Sequence, residues 1–355
     1  MHIIKIVGLL LVAGSIIPSA IFFPEKGNQS DPKTAVPAFD GVIMTSEDSG
    51  KSWHPIQTRL AENFVAASIH TDKNSVYIGG DYGNLYGFHA PTYHCMSKEE
   101  LLSSFPAITP NDNHRVSGIF SGPSGLYAGV HGVGLFLKRH GASFWQPITI
   151  PDYIFHVQEV HEDQDGNLYL VTQYGVYRSQ NQGGDWEKIF KDGFTHNLIL
   201  MDDLLVVNGI LGLHVSEDQG RTWTTAQSLG ALTGDVKNNY SQIFINDNTW
   251  YMLKKMEYSE FGTGTKNQLV YSTDRGQSWE KHPADAFLKQ QKDIYSLVPF
   301  QGSWYCATRE GVFSSSDNGI SWHLVLSIPG ENPNYVLQVV PVGDQLVCVR
   351  TMAGC

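Results

Sequence analysis

The chain is poor in charge, in cysteine and in arginine, and each shortage removes a class of function. Asp, Glu, Lys and Arg make up only 17% of the 355 residues, against ~25% in ordinary soluble domains. With 24 basic and 35 acidic side chains the formal net charge is -11. A surface of that sign does not track a phosphate backbone, so nucleic acid is excluded as a partner. The four cysteines, Cys95, Cys306, Cys348 and Cys355, are too few and too scattered for a disulfide framework. Cys306 and Cys348 stand in similar apolar strand contexts, which leaves a bridge between adjacent strands open beside the simpler reading of two small buried hydrophobes. No Gly-x-Ser-x-Gly, phosphate loop or dinucleotide fingerprint stands between a strand and a helix. His89, His94 and Cys95 match no familiar ligand spacing. Neither a cofactor nor a metal is expected.

What the chain has in quantity is glycine, 35 residues, the mark of a turn-rich β protein. Its first segment, residues 1–23, carries Lys5 and then an apolar run from Ile6 to Phe23. That run is short for a membrane span, and Pro18, Ser19 and Ala20 resemble the end of a cleavable signal. A cleaved export signal and a single N-terminal anchor both remain open, and either places the rest outside the cytoplasm. Residues 24–39, polar and punctuated by Pro32 and Pro37, read as a linker. The folded part, residues 40–355, is expected to start near Asp40.

A repeat organises that part. Five segments share Ser-x-Asp/Asn-x-Gly-x-x-Trp: Ser46, Asp48, Gly50 and Trp53; Ser179, Asn181, Gly183 and Trp186; Ser216, Asp218, Gly220 and Trp223; Ser272, Asp274, Gly276 and Trp279; Ser315, Asp317, Gly319 and Trp322. A sixth, ending at Trp145, keeps only the glycine and tryptophan. Short apolar runs flank each copy, which makes it the turn of a hairpin. The Asp or Asn side chain is expected to fold back onto backbone N–H groups two residues on, and the glycine to take the positive φ that closes the loop. The tryptophan then opens the next strand and buries its face between neighbouring hairpins. These residues hold a fold and are not read as catalytic.

The segments are Asp boxes, so the chain resembles the sialidase-type, or BNR-repeat, β-propellers from Asp40 to its C-terminus. Between boxes lie two further strand-like runs, giving four strands per unit. Six units follow the first box, one of them, around residues 66–90, having lost its box. The chain ends supply a seventh: "YVLQVVPVGDQLVCVRT" gives two strands and "GVIMTSEDSGKSWHPI" the third and fourth. A seven-bladed propeller closed by pairing of its ends is predicted, with six blades as the alternative.

In such a ring the boxes occupy one face, and function is expected on the other, around the channel mouth. The turns between second and third strands place Asp81, Tyr82, His131, Tyr174, Glu257, Arg309, Glu310 and Arg350 there. The entrances to the inner strands add Arg115, His156, His196, Tyr240, Tyr295 and Tyr335. Aromatic platforms with a few cations and carboxylates suit a carbohydrate or peptide cleft, and an aromatic plug of the channel is the plainer reading. Two insertions, residues 91–115 with a capped short helix and the glycine-rich 254–268, are expected to rise on the same face.

Chemistry is harder to read. A sialidase needs an arginine cluster, and the chain has eight arginines, with Arg221 and Arg275 inside box turns and no Arg-Ile-Pro segment. A two-carboxylate glycosidase would draw on Asp81, Asp152, Glu257, Glu260, Asp293 and Glu310, with a pair ~5–9.5 Å apart. The expectation is therefore a monomeric, extracytoplasmic, non-enzymatic scaffold that binds a protein or glycan partner opposite the boxes. The photosystem II assembly factors, similar in size and layout, imply such a docking role. The alternative is a secreted glycoside hydrolase.

Overall fold

The computed structural model of the chain describes residues 36–352 except 57–59, 61–63, 65, 73, 81–84, 90, 91–93, 96–114, 152–153, 155, 192–194, 202–203, 210–211, 226–238, 247, 258–264, 292 and 329–334. A compact unit spans Val36–Cys355. Its described strands form seven four-stranded antiparallel sheets, so the structure is the seven-bladed propeller. Blade 1 takes its two inner strands, Tyr335–Val342 and Gln345–Met352, from the end of the chain. Its two outer strands, Ile43–Ser46 and His54–Pro55, come from the beginning. Thr45 faces Val347 across that join, and Ile43 faces Val349. Blades 2 to 7 follow in chain order, with innermost strands Ser68–Thr71, Val116–Gly122, Glu159–Glu162, Thr195–Leu200, Asn239–Asn246 and Ile294–Phe300. Pairing with Ser327 begins ahead of Asp40: Ser327 donates its N–H to the Pro37 carbonyl at 2.9 Å and accepts that of Phe39 at 2.7 Å.

The second strands of blades 4 and 5, Leu168–Thr172 and Leu205–Gly209, are buried on both faces. Such strands read as continuous apolar runs because neighbouring blades cover each side. Cys306 and Cys348 lie buried in second strands of blades 7 and 1 and are not bridged to each other, which favours the packing reading. Between blades 6 and 7 a one-turn helix, Asp285–Leu288, seats its Asp285 carboxylate against the Leu269 N–H at 3.2 Å. Among the described residues no helix is long and apolar enough to cross a membrane.

The box turns differ from expectation in two respects. The acidic side chain reaches four residues on: Asp48 Oδ1 accepts the Ser52 N–H, and Asp218 Oδ1 the Thr222 N–H, each at 2.8 Å. The serine at the head of each box accepts the glycine N–H at 2.8 Å, as Ser216 does from Gly220. The residue before the glycine also takes a positive φ, 58° at Ser49, 56° at Gln182, 59° at Gln219, 57° at Arg275 and 57° at Asn318. Two consecutive left-handed residues thus reverse the chain inside each box loop, and the second of them is the glycine, which takes that φ at no steric cost. Hydrogen bonds from the hydroxyl and backbone of residue 222, 278 or 321 hold Asp218, Asp274 and Asp317 ionised, with pKa values down at about 2.

The turns also join blades. Gly183 packs on Ile148, Gly220 on Ile189, Gly319 on Ala284 and Gly50 on Tyr305, in each case a residue of the preceding blade or its exit. Arg178 of blade 4, 7% exposed, donates to the Gln219 carbonyl in the box of blade 5 at 2.9 Å. The Tyr305 hydroxyl makes the same bond to Ser49 at 2.8 Å. The indole N–H of Trp279 returns to the Gly276 carbonyl at 3.0 Å, and that of Trp186 reaches Thr149 in blade 3 at 2.7 Å.

Candidate functional site

Each inner strand starts where the second strand ends, so strand starts and the turns between second and third strands share one face. That face is the mouth. Three of the predicted residues meet at the junction of blades 3 and 4. His131 donates its N–H to the Arg115 carbonyl at 2.9 Å, and its ring lies 5.9 Å, centroid to centroid, from that of His156. Burial, with His131 beside it, lowers the His156 pKa. A second group forms on blade 7, where Arg309 pairs with Asp293 at 3.5 Å and remains 71% exposed. Burial raises the pKa of the nearby Tyr295 hydroxyl, and a hydrogen bond with Arg309 counters the rise.

Tyr174, 43% exposed, and Glu310 sit at the tips of two turns built alike. In each, a buried threonine, Thr172 or Thr308, accepts the tip N–H, at 3.0 Å from Tyr174 and 3.2 Å from Glu310. The same hydroxyls donate to Gly175 at 3.1 Å and Gly311 at 3.4 Å. This Thr-x-x-Gly turn was available in the sequence as "TQYG" and "TREG" but is masked there by the stronger box signal.

Arg350 does not stand at the turn expected for it. It lies inside the strand Gln345–Met352, facing Leu337, because the blade made from the chain ends has no such turn. Its N–H is bonded to Val42 at 3.0 Å, and its Nε donates to the Phe64 carbonyl at 3.1 Å. The insertion 254–268 also differs from expectation: Lys254–Glu257 and Thr265–Gln268 pair as a hairpin, with Glu257 opposite Thr265. Glu257 thus ends a strand, and His196, Tyr240 and Tyr335 lie within inner strands near their starts. Asp81, Tyr82 and the helix expected within 91–115 lie outside the described residues, as do the side chains of His196, Tyr240, Glu257 and Tyr335.

Sequence reasoning missed the polar lining of the channel below the mouth. His70 of blade 2 accepts the Ser121 N–H of blade 3 on Nε2 at 2.9 Å, with the Ser121 hydroxyl 2.7 Å away. Burial presses its pKa down to about 4, Asp72 opposing and His161 assisting. The ring is therefore neutral at pH 7. In blade 4, Glu159 holds His161 at 3.1 Å and accepts the Leu198 N–H of blade 5 at 3.0 Å.

The His70 shift carries a pH prediction. A lowered pKa means that the unfolded chain, at an ordinary value near ~6.5, takes up the proton before the folded one does. The stabilisation is complete above that value and is lost as pH falls through about 4. The loss from His70 is expected to reach about 2 kcal/mol, once solvent screening of the partly covered ring is allowed for. Denaturation between pH 7 and 4 measures it, with His70→Gln as reference. Glutamine still accepts from Ser121 but cannot titrate, so its profile should be flatter, the share from His156 and His282, both lowered by burial, remaining. Parallel profiles would refute the assignment.

Seven blades, consecutive left-handed residues in the boxes and interlocked turns define the class: the fold is a seven-bladed β-propeller with Asp-box turns. The family model described as BNR/Asp-box repeat matches residues 270–281, the turn of blade 6. No curated protein matches the chain. Among solved structures it is similar to the extracellular domain of a putative one-component system from B. thetaiotaomicron, with TM-score 0.53, 12% identity, and coverage of 88% of this chain and 42% of that one. The extracellular domain of a putative hybrid two-component system from the same organism has TM-score 0.53 and 13% identity, covering 82% and 40%. An ancestral GH74 enzyme has TM-score 0.50 and 12% identity, covering 82% and 48%. The chain thus spans less than half of each of these proteins, and the likeness is one of fold.

Proposed function

We propose that this propeller is a non-enzymatic binding or assembly scaffold that works outside the cytoplasm and holds a protein or glycan partner on its mouth face. The observation that carries the reading is the pair of Thr-x-x-Gly turns, which fix exposed Tyr174, Arg309 and Glu310 through buried threonine hydroxyls. Side chains presented on backbone clamped in this way lose little freedom when a partner arrives, which favours binding. The apolar run after Lys5 supports an extracytoplasmic place, and two of the similar structures are extracellular domains. Hydrolysis of a glycoside asks for two carboxylates facing across a cleft. Among the described mouth residues, Asp293 is tied to Arg309 and Glu310 stands on a turn tip, which suits recognition better.

A glycan array and a cross-linking pull-down test the reading on the wild type and on Tyr174→Ala/Arg309→Ala. Both side chains are exposed, so the melting temperature should stay within about 2 °C. Binding should fall at least about tenfold, or ~1.4 kcal/mol. Binding untouched by the double variant would overturn the mouth assignment, and turnover of fluorogenic glycosides would overturn the non-enzymatic one.

A further inference from the structure

The channel holds a cavity of about 470 Å³ between the inner strands of blades 2, 3 and 4, with Gln338 and Thr351 of blade 1 on its remaining side. That volume lies within the ~300–1,000 Å³ of small-molecule sites. The cavity extends from strand starts near the mouth, at Ser68 and Ser117, down to His70 and His161. Two of its lining side chains carry buried polar atoms without a protein partner, Gln158 Oε1 and Thr351 Oγ1. Thr351 is only 2% exposed. Buried polar atoms are normally paired, so each such atom asks what meets it.

The lining also restricts the chemistry of an occupant. It contains no lysine or arginine and one carboxylate, Glu159, which disfavours an anion. Glu159 is already engaged by His161 and by the Leu198 N–H, which leaves little for a cation. His70 offers a neutral ring whose Nε2 is taken by Ser121, and among the described residues no three His, Cys, Asp or Glu side chains converge as metal ligands. What remains is a set of amides and hydroxyls beside the apolar faces of Phe120 and Ile119. Hydroxyl groups flanked by C–H faces complement that set. We infer that the channel cavity is a binding site for a small neutral sugar or polyol, distinct from the partner surface of the mouth.

The full-length protein is titrated calorimetrically with glucose, N-acetylglucosamine and myo-inositol, and with glucose 6-phosphate as the anionic comparison. At least one neutral probe should bind with a millimolar or tighter constant, and the phosphate at least tenfold more weakly. Thr351→Val and Gln158→Met remove the unpaired atoms at nearly constant volume. Both should melt no lower than the wild type yet lose at least tenfold in affinity for the neutral probe, a combination that a merely structural role does not produce. Tyr174→Ala/Arg309→Ala should keep this binding, so the channel and mouth assignments fail separately. No binding by any neutral probe, preference for the phosphate, or full affinity in both cavity variants would overturn the inference.

Discussion

Val347→Asp is expected to unfold the ring as a whole. Val347 is fully buried in the strand Gln345–Met352 and pairs with Val340 on one side and Thr45 on the other. It is therefore the place where the two ends of the chain are held together. An aspartate there has no partner, and burying an unpaired carboxylate costs upwards of about 4 kcal/mol, a large share of the ~5–15 kcal/mol of a typical domain. Val171→Asp, at an equally buried second-strand position of blade 4, gives the comparison. Its strand stays tethered at both ends by neighbouring blades, whereas loss of the closing strand frees both termini. Limited proteolysis should cut the Val347 variant at sites all round the ring and the Val171 variant first near blade 4. A melting curve for Val347→Asp within about 2 °C of the wild type would show that closure contributes little.

Gly319→Ala should cost about 3 kcal/mol, although it adds a single methyl group. The added Cβ would stand 2.5 Å from the Ala284 Cβ and 3.0 Å from its Cα, on a residue with φ of +84°. The left-handed conformation accounts for about 1–2 kcal/mol and the overpacking for about 1–3. Gly302→Ala separates the two, since Gly302 has φ of +75° but nothing within 4 Å of its Cβ position. That variant should lose only about 1 kcal/mol. Chemical denaturation measures both. Equal losses would mean that the box glycine is needed for its backbone alone and that contact with the preceding blade adds nothing.

The architecture was legible because five of the seven blades repeat a local backbone demand. A left-handed turn needs glycine, and a capped turn needs serine and aspartate at fixed spacing, so Ser216, Asp218 and Gly220 announce themselves. Ring closure was legible too, since a two-strand remnant at each end has one economical solution. The site was legible only at its tips. Arg350 was misplaced because a blade assembled from two chain ends offers no turn from which to count its register. The channel was invisible because His70, Ser121, Glu159 and His161 come from three inner strands without a common motif. Blade packing alone brings them together.

The turns that lean on a preceding blade are unevenly distributed around the circle. Blades 1, 4, 5 and 7 each lodge a box glycine against their predecessor, whereas the sequence of blade 2 has no box and the reduced turn of blade 3 leaves Gly141 with nothing within 4 Å of its Cβ position. The circumference thus has two unkeyed stretches, one at blade 6, whose Gly276 meets Trp250 and Trp279 of its own blade, and a longer one across blades 2 and 3. The longer stretch is where a parting of neighbours breaks the fewest such interlocks. That stretch, with blade 4, also walls the channel cavity, so the side of the ring with the fewest interlocking turns is the side that faces the cavity.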